Sequence, residues 1–285
     1  MNPDPALYSL NCGAQKSWAH EILGKTSLLQ ECYPNVVDIG CGTGEVTNII
    51  SEKLPGVKNI IAYDKVPGMV EFAQAHNPNE RIHYTVADAE KPETMKEEWT
   101  GLFNMATSFI VLHWIKDQTI ALAEIHKILA PGGEFLLVLG QRAPPAFVEI
   151  GPKITEYPRW NKYLKDFVPP WRHTPGWEKH NKWRKHPVDG YTDLALQADL
   201  KVKVVKLVDL DYVFPSDERC SGMIETLLPH TMAIPKELMA DFMKDALAIF
   251  KEHCPKSSNG RPIWSAGFLW IHGWKPKKTS WCQIV

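Results

Sequence analysis

The chain has 285 residues, enough for one large globular domain or a catalytic domain carrying an insertion. Lysine and arginine total 32 against 33 acids, a formal net charge of −1, which excludes attachment to nucleic acid or membrane mainly through bulk positive charge. Apolar residues at 44% and charged residues at 23% exclude disorder as the main state.

In chain order, QKSWAHEILGKTSLLQE carries apolar residues at helical spacing and predicts a helix over 15–31. NVVDIG (35–40) reads as a buried strand, and glycines at 40, 42 and 44 lead into EVTNIISEKL (45–54), a helix ended by Pro55-Gly56. NIIAYD (59–64) is the next strand. PGMVEFAQAH (67–76) is the next helix, with proline allowed in its first turn. IHYTVAD (82–88) is a third strand, and LFNMATSFIVLHW (102–114) contains a fourth. An amphipathic helix over 118–129 closes at Ala-Pro-Gly-Gly, and EFLLVLG (134–140) is a fifth strand. Short connections between alternating strands and helices make a parallel, doubly wound α/β sheet, because parallel strands need crossover helices.

From Gln141 to about Tyr191 the rhythm breaks into prolines and tryptophans (160, 171, 177 and 183), either a packed cap or a mobile lid. A helix over 192–200, a strand over 201–215, helices over 217–228 and 235–252, and a final strand over 263–274 follow. The expected division is an N-terminal helical cap segment (1–32), a core (33–143), a cap insertion (144–191), completion of the sheet (192–278) and a tail (279–285).

The sharpest motif is Asp38-Ile39-Gly40-Cys41-Gly42-Thr43-Gly44, a strand running through a glycine turn into a helix. Glycines let a nucleotide-like ligand approach the backbone and permit the tight turn. The loop lacks the third glycine of GxGxxG, which turns the reading away from a nicotinamide cofactor. Asp64 ends the second strand and is able to accept hydrogen bonds from both ribose hydroxyls. Asp88 ends the third. A lone strand-end aspartate is usually a cap or turn residue. Three on consecutive strands, with the glycine loop, converge on the crevice at the strands' carboxyl ends.

This set resembles the class I S-adenosylmethionine-dependent methyltransferases, a fold with a seven-stranded Rossmann-like sheet. The resemblance implies that Asp38 orients the loop and the methionine amino group, that Asp64 holds the ribose, and that Asp88 and Ala89 lie against adenine. Gly40, Gly42, Gly44, Lys65 and Ser108 complete the cofactor set, with no metal. Asn104 stands where relatives often have aspartate, at the strand's start and away from the crevice.

His113-Trp114 after the fourth strand, with Gln15 in the first helix and the pattern of 209–247, resembles the juvenile hormone acid O-methyltransferase group. That resemblance covers most of the chain, though 145–190 only loosely. It implies a carboxylate held by Gln15 and Trp114 and an acceptor such as farnesoic or a juvenile hormone acid. A carboxylic acid with a pKa of about 4.5 is already ionised, so alignment and desolvation suffice without a base. Tyr8, Trp18, Ile110, Trp160 and Tyr163 are expected apolar walls, and no arginine cluster is expected at the crevice. Two alternatives stay open: His113 as base for a phenol, amine or thiol, and a catalytically silent binding protein.

Six cysteines without CxxC pairs suggest reduced thiols in the cytoplasm, and no apolar run reaches the roughly 18 residues of a membrane span. The start lacks a secretory pattern. Cys282-Gln-Ile-Val after a lysine run matches a prenylation pattern, which would give weak membrane association, although valine is an unusual last residue. The run 172–186 interleaves basic and aromatic residues, but it reads as a solvated cap surface and not as a nucleic-acid site.

Overall fold

A computed structural model describes residues 4–25, 32–168 and 184–277. Two helices lead: α1 (Pro5–Asn11) and α2 (Gly13–Gly24). Asp4 caps α1, accepting from the Ala6 and Leu7 amides at 2.9 and 3.1 Å, with proline at the first helical turn. The helix expected over 15–31 therefore begins at Gly13 and stops at Gly24, and α1 is additional.

The alternating half follows closely: β1 (Asn35–Ile39), α3 (Glu45–Lys53), β2 (Asn59–Asp64), α4 (Pro67–His76), β3 (Ile82–Val86), β4 (Phe103–Phe109), α5 (Gln118–Ile128) and β5 (Leu129–Arg142). Then come α6 (Pro145–Glu156), α7 (Pro158–Leu164), α8 (Pro187–Gln197), β6 (Lys201–Val213), α9 (Asp217–Leu227), α10 (Met239–His253) and β7 (Ile263–Trp274). The strands form one seven-stranded sheet in the order β3-β2-β1-β4-β5-β7-β6. All neighbours are parallel except β7, which runs antiparallel between β5 and β6.

Alternation along the central strands feeds two cores. Val36 and Met105 face a layer built from α2, α3, α6, α7, α9 and α10. Val37 and Ala106 face the layer that holds α5 and α8. Burial on both faces is why these strands read as continuous apolar runs. Asn104 Oδ1 accepts from the Asn35 amide at 3.1 Å at the strands' start, the end opposite the crevice.

The insertion needs two corrections. The boundary expected after 191 falls inside α8, whose Tyr191 packs in the second core and hydrogen-bonds Gln118 at 3.1 Å, so α8 belongs to the sheet's second layer. Trp160 and Tyr163, expected acceptor walls, line neither of the cavities described below. Trp160 is buried, donates from Nε1 to Asp245 at 2.6 Å and meets Phe242 edge-on, tying α7 to α10. Trp171, Trp177, Trp183, most of the basic run 172–186 and Cys282 with its tail lie outside the described residues.

Trp160→Phe keeps the ring but removes the hydrogen bond to a carboxylate. It is expected to cost about 1–2 kcal/mol in urea unfolding while leaving turnover per folded molecule unchanged. A large loss of turnover at full folding would make Trp160 part of the acceptor site after all.

Candidate active site

Two adjoining cavities sit at the carboxyl ends of the parallel strands. The smaller, about 350 Å³, is lined by Asp38, Gly40, Gly42, Asp64, Asp88 and Ala89, with exposed Lys65 beside them. The expected convergence of the three aspartates is therefore what the fold produces. The larger, about 770 Å³, is lined by Trp18, His113, Phe147, Leu164, Phe167, Met223, Leu228 and Phe268, among others. Tyr8, Gln15, Ile110 and Trp114 line both.

Asp38 is the floor of the smaller cavity, only 2% exposed. Its Oδ2 accepts from Thr47 Oγ1 of α3 at 2.6 Å, and its Oδ1 from Thr107 Oγ1 of β4 at 3.0 Å. Burial pushes its pKa from 3.8 up to about 6, against the two hydroxyls. Asp64 accepts from the Gly42 amide at 3.0 Å and the Val66 amide at 2.9 Å, and burial raises its pKa as well. Each carboxylate oxygen has a second lone-pair direction, so Asp64 keeps capacity toward the cavity. Asp88 accepts from the Glu90 amide at 3.0 Å.

The glycines differ in what they do. Gly40 has φ +75°, and a Cβ there would collide with the Val111 side chain, so loop and post-β4 turn touch backbone to side chain. Gly44, the N-cap of α3 at φ +90°, does not line the cavity. A Cβ on it would lie 2.6 Å from Tyr84 Oη, so its requirement is packing under the loop. Ser108 also fails to reach either cavity. It is fully buried and donates to the Ile39 carbonyl at 3.0 Å, binding β4 to β1.

At the junction, Ile110 adopts φ +61°, which is a strained conformation for a β-branched residue, held by its amide bond to Val138 O at 2.7 Å. Gln15 is 8% exposed, and its Oε1 has no hydrogen-bond partner. His113 belongs to the larger cavity. Its Nδ1 accepts from the Gly140 amide at 3.2 Å, and burial, with Arg184 nearby, pushes its pKa down to about 3. It is therefore neutral at physiological pH.

Two arginines, which sequence reasoning did not single out, also line the larger cavity. Arg142 pairs with Asp209 at 2.6 Å. Arg184 donates to the His113 carbonyl at 3.1 Å and the Gly140 carbonyl at 3.4 Å, and burial lowers its pKa. Nothing in its surrounding basic run marks it as different. Glu45 was also missed, on the smaller cavity, although its place just after the glycine loop is a signal.

The residues present fit a nucleoside sulfonium donor: a glycine turn without side chains, a strand-end acid for ribose hydroxyls, carboxylates for positive charge, and a buried acceptor atom without a donor. Among the described residues no group of three or more His, Cys, Asp or Glu could hold a metal ion.

The sheet order, the glycine loop and the strand-end acids together are those of the class I S-adenosylmethionine-dependent methyltransferase fold. Residues 37–137 match the family model of a methyltransferase domain, and the cavity residues fit S-adenosylmethionine as methyl donor. The chain is 34% identical over 133 residues to malonyl-acyl-carrier-protein O-methyltransferase of Hahella chejuensis, covering 46% of this chain and 44% of that one. It is 26% identical over 223 residues to juvenile hormone acid O-methyltransferase of Bombyx mori, covering 76% of this chain and 74% of that one. The structure of Haemonchus contortus phosphoethanolamine N-methyltransferase 2 with S-adenosyl-L-methionine has a TM-score of 0.54 at 13% identity, over 97% of this chain and 58% of that one. That likeness concerns the fold.

The raised pKa of Asp38 has a stability consequence whose sign is fixed by linkage. Between pH 4 and 6 Asp38 binds more protons in the folded state than in the unfolded one, so its own contribution to stability is most favourable below pH 4 and falls as pH rises to 6. The loss is on the order of 3 kcal/mol, from a pKa of about 6 against 3.8. In the cofactor-free protein, Asp38→Asn should flatten this part of the melting-temperature profile. Parallel profiles for the two proteins would remove Asp38 as the cause.

Proposed function

We propose that the chain is a cytoplasmic enzyme that methylates a hydrophobic carboxylic acid on oxygen, with the isoprenoid and fatty acids as the leading acceptor class. The observation that carries this reading is the junction of the two cavities. Gln15 and Trp114, both neutral, line the smaller and the larger cavity at once, and the larger is walled mainly by apolar side chains. The Hahella and Bombyx relatives are O-methyltransferases by name, the second of juvenile hormone acid, which supports transfer to oxygen. The free Cys12, Cys32, Cys41, Cys220 and Cys254 support a reducing compartment. Among the described residues no helix is long and apolar enough to cross a membrane.

In this reading Asp38, Gly40, Gly42, Asp64, Asp88 and Ala89 hold the donor, with Asp64 on the ribose and Asp88 and Ala89 beside adenine. Bound S-adenosylmethionine supplies an electrophilic methyl group on a sulfonium. The Gln15 amide and the Trp114 indole are donors that orient one carboxylate oxygen and leave the other to attack. Neutral donors suit a reaction that consumes the negative charge, because a strong cationic clamp stabilises the ground state that the transition state must leave. Tyr8, Trp18 and Ile110 wall the apolar tail's entrance. His113 serves as a neutral spacer: with a pKa of about 3 and Nδ1 already accepting, it is a poor base near pH 7. That observation disfavours the reading in which a phenol, amine or thiol is deprotonated by His113.

The test combines acceptors and variants. The protein is incubated with methyl-labelled donor and a panel of isoprenoid, fatty, aromatic and dicarboxylic acids, and the methyl esters are counted. Gln15→Ala and Trp114→Phe should each lower kcat/KM by about tenfold or more, the scale of one lost hydrogen bond to a charged group. Unchanged ester formation in both variants would refute the carboxylate assignment.

The pH profile separates the chemistries. A carboxylic acceptor gives a rate that rises with ionisation near a pKa of about 4.5 and is flat from about pH 6 to 8. A limb near 6.5 that disappears in His113→Gln would instead identify a histidine base.

A further inference from the structure

We propose that Glu45 is a further cofactor-binding residue, its carboxylate pairing with the ammonium of the donor's methionine end while Ser9 holds α1 in place above it. Glu45 opens α3 directly after the glycine loop and lines the smaller cavity. Its Oε1 accepts from Ser9 Oγ of α1, and its Oε2 accepts from Thr43 Oγ1 of the loop. Both donors are hydroxyls on the protein side, and each carboxylate oxygen retains a second lone-pair direction for a ligand.

Two other carboxylates of the cavity differ from Glu45 in depth or in the donors that hold them. Asp38 is 2% exposed with a threonine hydroxyl on each oxygen, and Asp64 has a backbone amide on each oxygen. A primary ammonium needs more than one acceptor, and a second one lies on the same cavity. Gln15 Oε1 is buried without a partner, an arrangement that costs free energy until a donor arrives. Glu45 and Gln15 thus offer a charged and a neutral acceptor to one cation. The Ser9 contact with Glu45 joins α1, which carries Tyr8 and is also held through its Leu10 carbonyl by Arg219, to the rim of the cavity. This proposal concerns only the donor and does not depend on the acceptor's identity.

Calorimetry on the full chain without acceptor tests it with two ligands: S-adenosylhomocysteine and its analogue lacking the α-amino group. The wild type should bind the amine-bearing ligand about tenfold or more tightly, the scale of a charge-assisted hydrogen bond. In Glu45→Gln the two ligands should bind within about twofold of each other, while Glu45→Asp, which keeps the charge, should retain part of the preference. Melting curves establish that the variants are folded. Equal binding of both ligands by the wild type, or a preference that survives Glu45→Gln, overturns the proposal. So does weakening of both ligands by the same factor. Should Glu45→Gln not fold, the wild-type preference and the Glu45→Asp result still decide the matter.

Discussion

A carboxylate buried at the end of β1 organises the centre of the molecule. Asp38 takes one threonine hydroxyl from α3 and one from β4, so a single side chain ties strand, following helix and neighbouring strand together at the cavity floor. This is the point where the strand order reverses, with β2 on one side of β1 and β4 on the other. Crevices form at such points because the connecting helices depart to opposite faces of the sheet. The glycine loop, Asp64 and the turn carrying Ile110 all lie around this knot. Burying the carboxylate raises its pKa, and the two threonine hydroxyls offset part of that cost.

The N-terminal helices connect the two halves of the reaction. Tyr8 from α1 and Gln15 from α2 line both cavities, although neither helix belongs to the sheet. Trp18, one turn beyond Gln15, packs at a tilt against Phe268 of β7 with ring centroids 4.8 Å apart, which anchors α2 to the sheet. In the reading proposed above, the same segment therefore covers the donor and shapes the acceptor's entrance. Any displacement of α2 would alter both sites together, and this geometry makes binding of one ligand sensitive to the other.

The sheet was legible in the sequence because its central strands are buried on both faces, and β1, β2 and β5 run into a glycine or proline within three residues. The aspartates were legible because a strand end plus a short connection fixes where a side chain emerges. Other features depend on tertiary contacts. Nothing local distinguishes Thr107, which reaches Asp38, from Ser108, which bonds β1 from the next position. Trp160 looks like any pocket aromatic until Asp245, far along the chain, claims its indole. The φ of Ile110 has no sequence signal at all, since a β-branched residue argues against it. For α1 the signal was present: aspartate before proline is a helix start, and a short helix without a buried face gave no periodicity to accompany it.

Arg184 bears on why neutral donors suffice. It comes from the insertion and lies against the two segments that frame the acceptor cavity, donating to carbonyls of His113 and Gly140. Those bonds direct its charge into backbone dipoles and brace the turn that carries Trp114. The same cation disfavours a second positive charge on His113, reinforcing the effect of burial. In the reading proposed above, one arginine thus stiffens the carboxylate-orienting turn and keeps the neighbouring imidazole neutral. A site built this way holds no ready base, so it suits an acceptor that arrives already ionised, and a carboxylic acid is the common metabolite group that meets this condition at neutral pH.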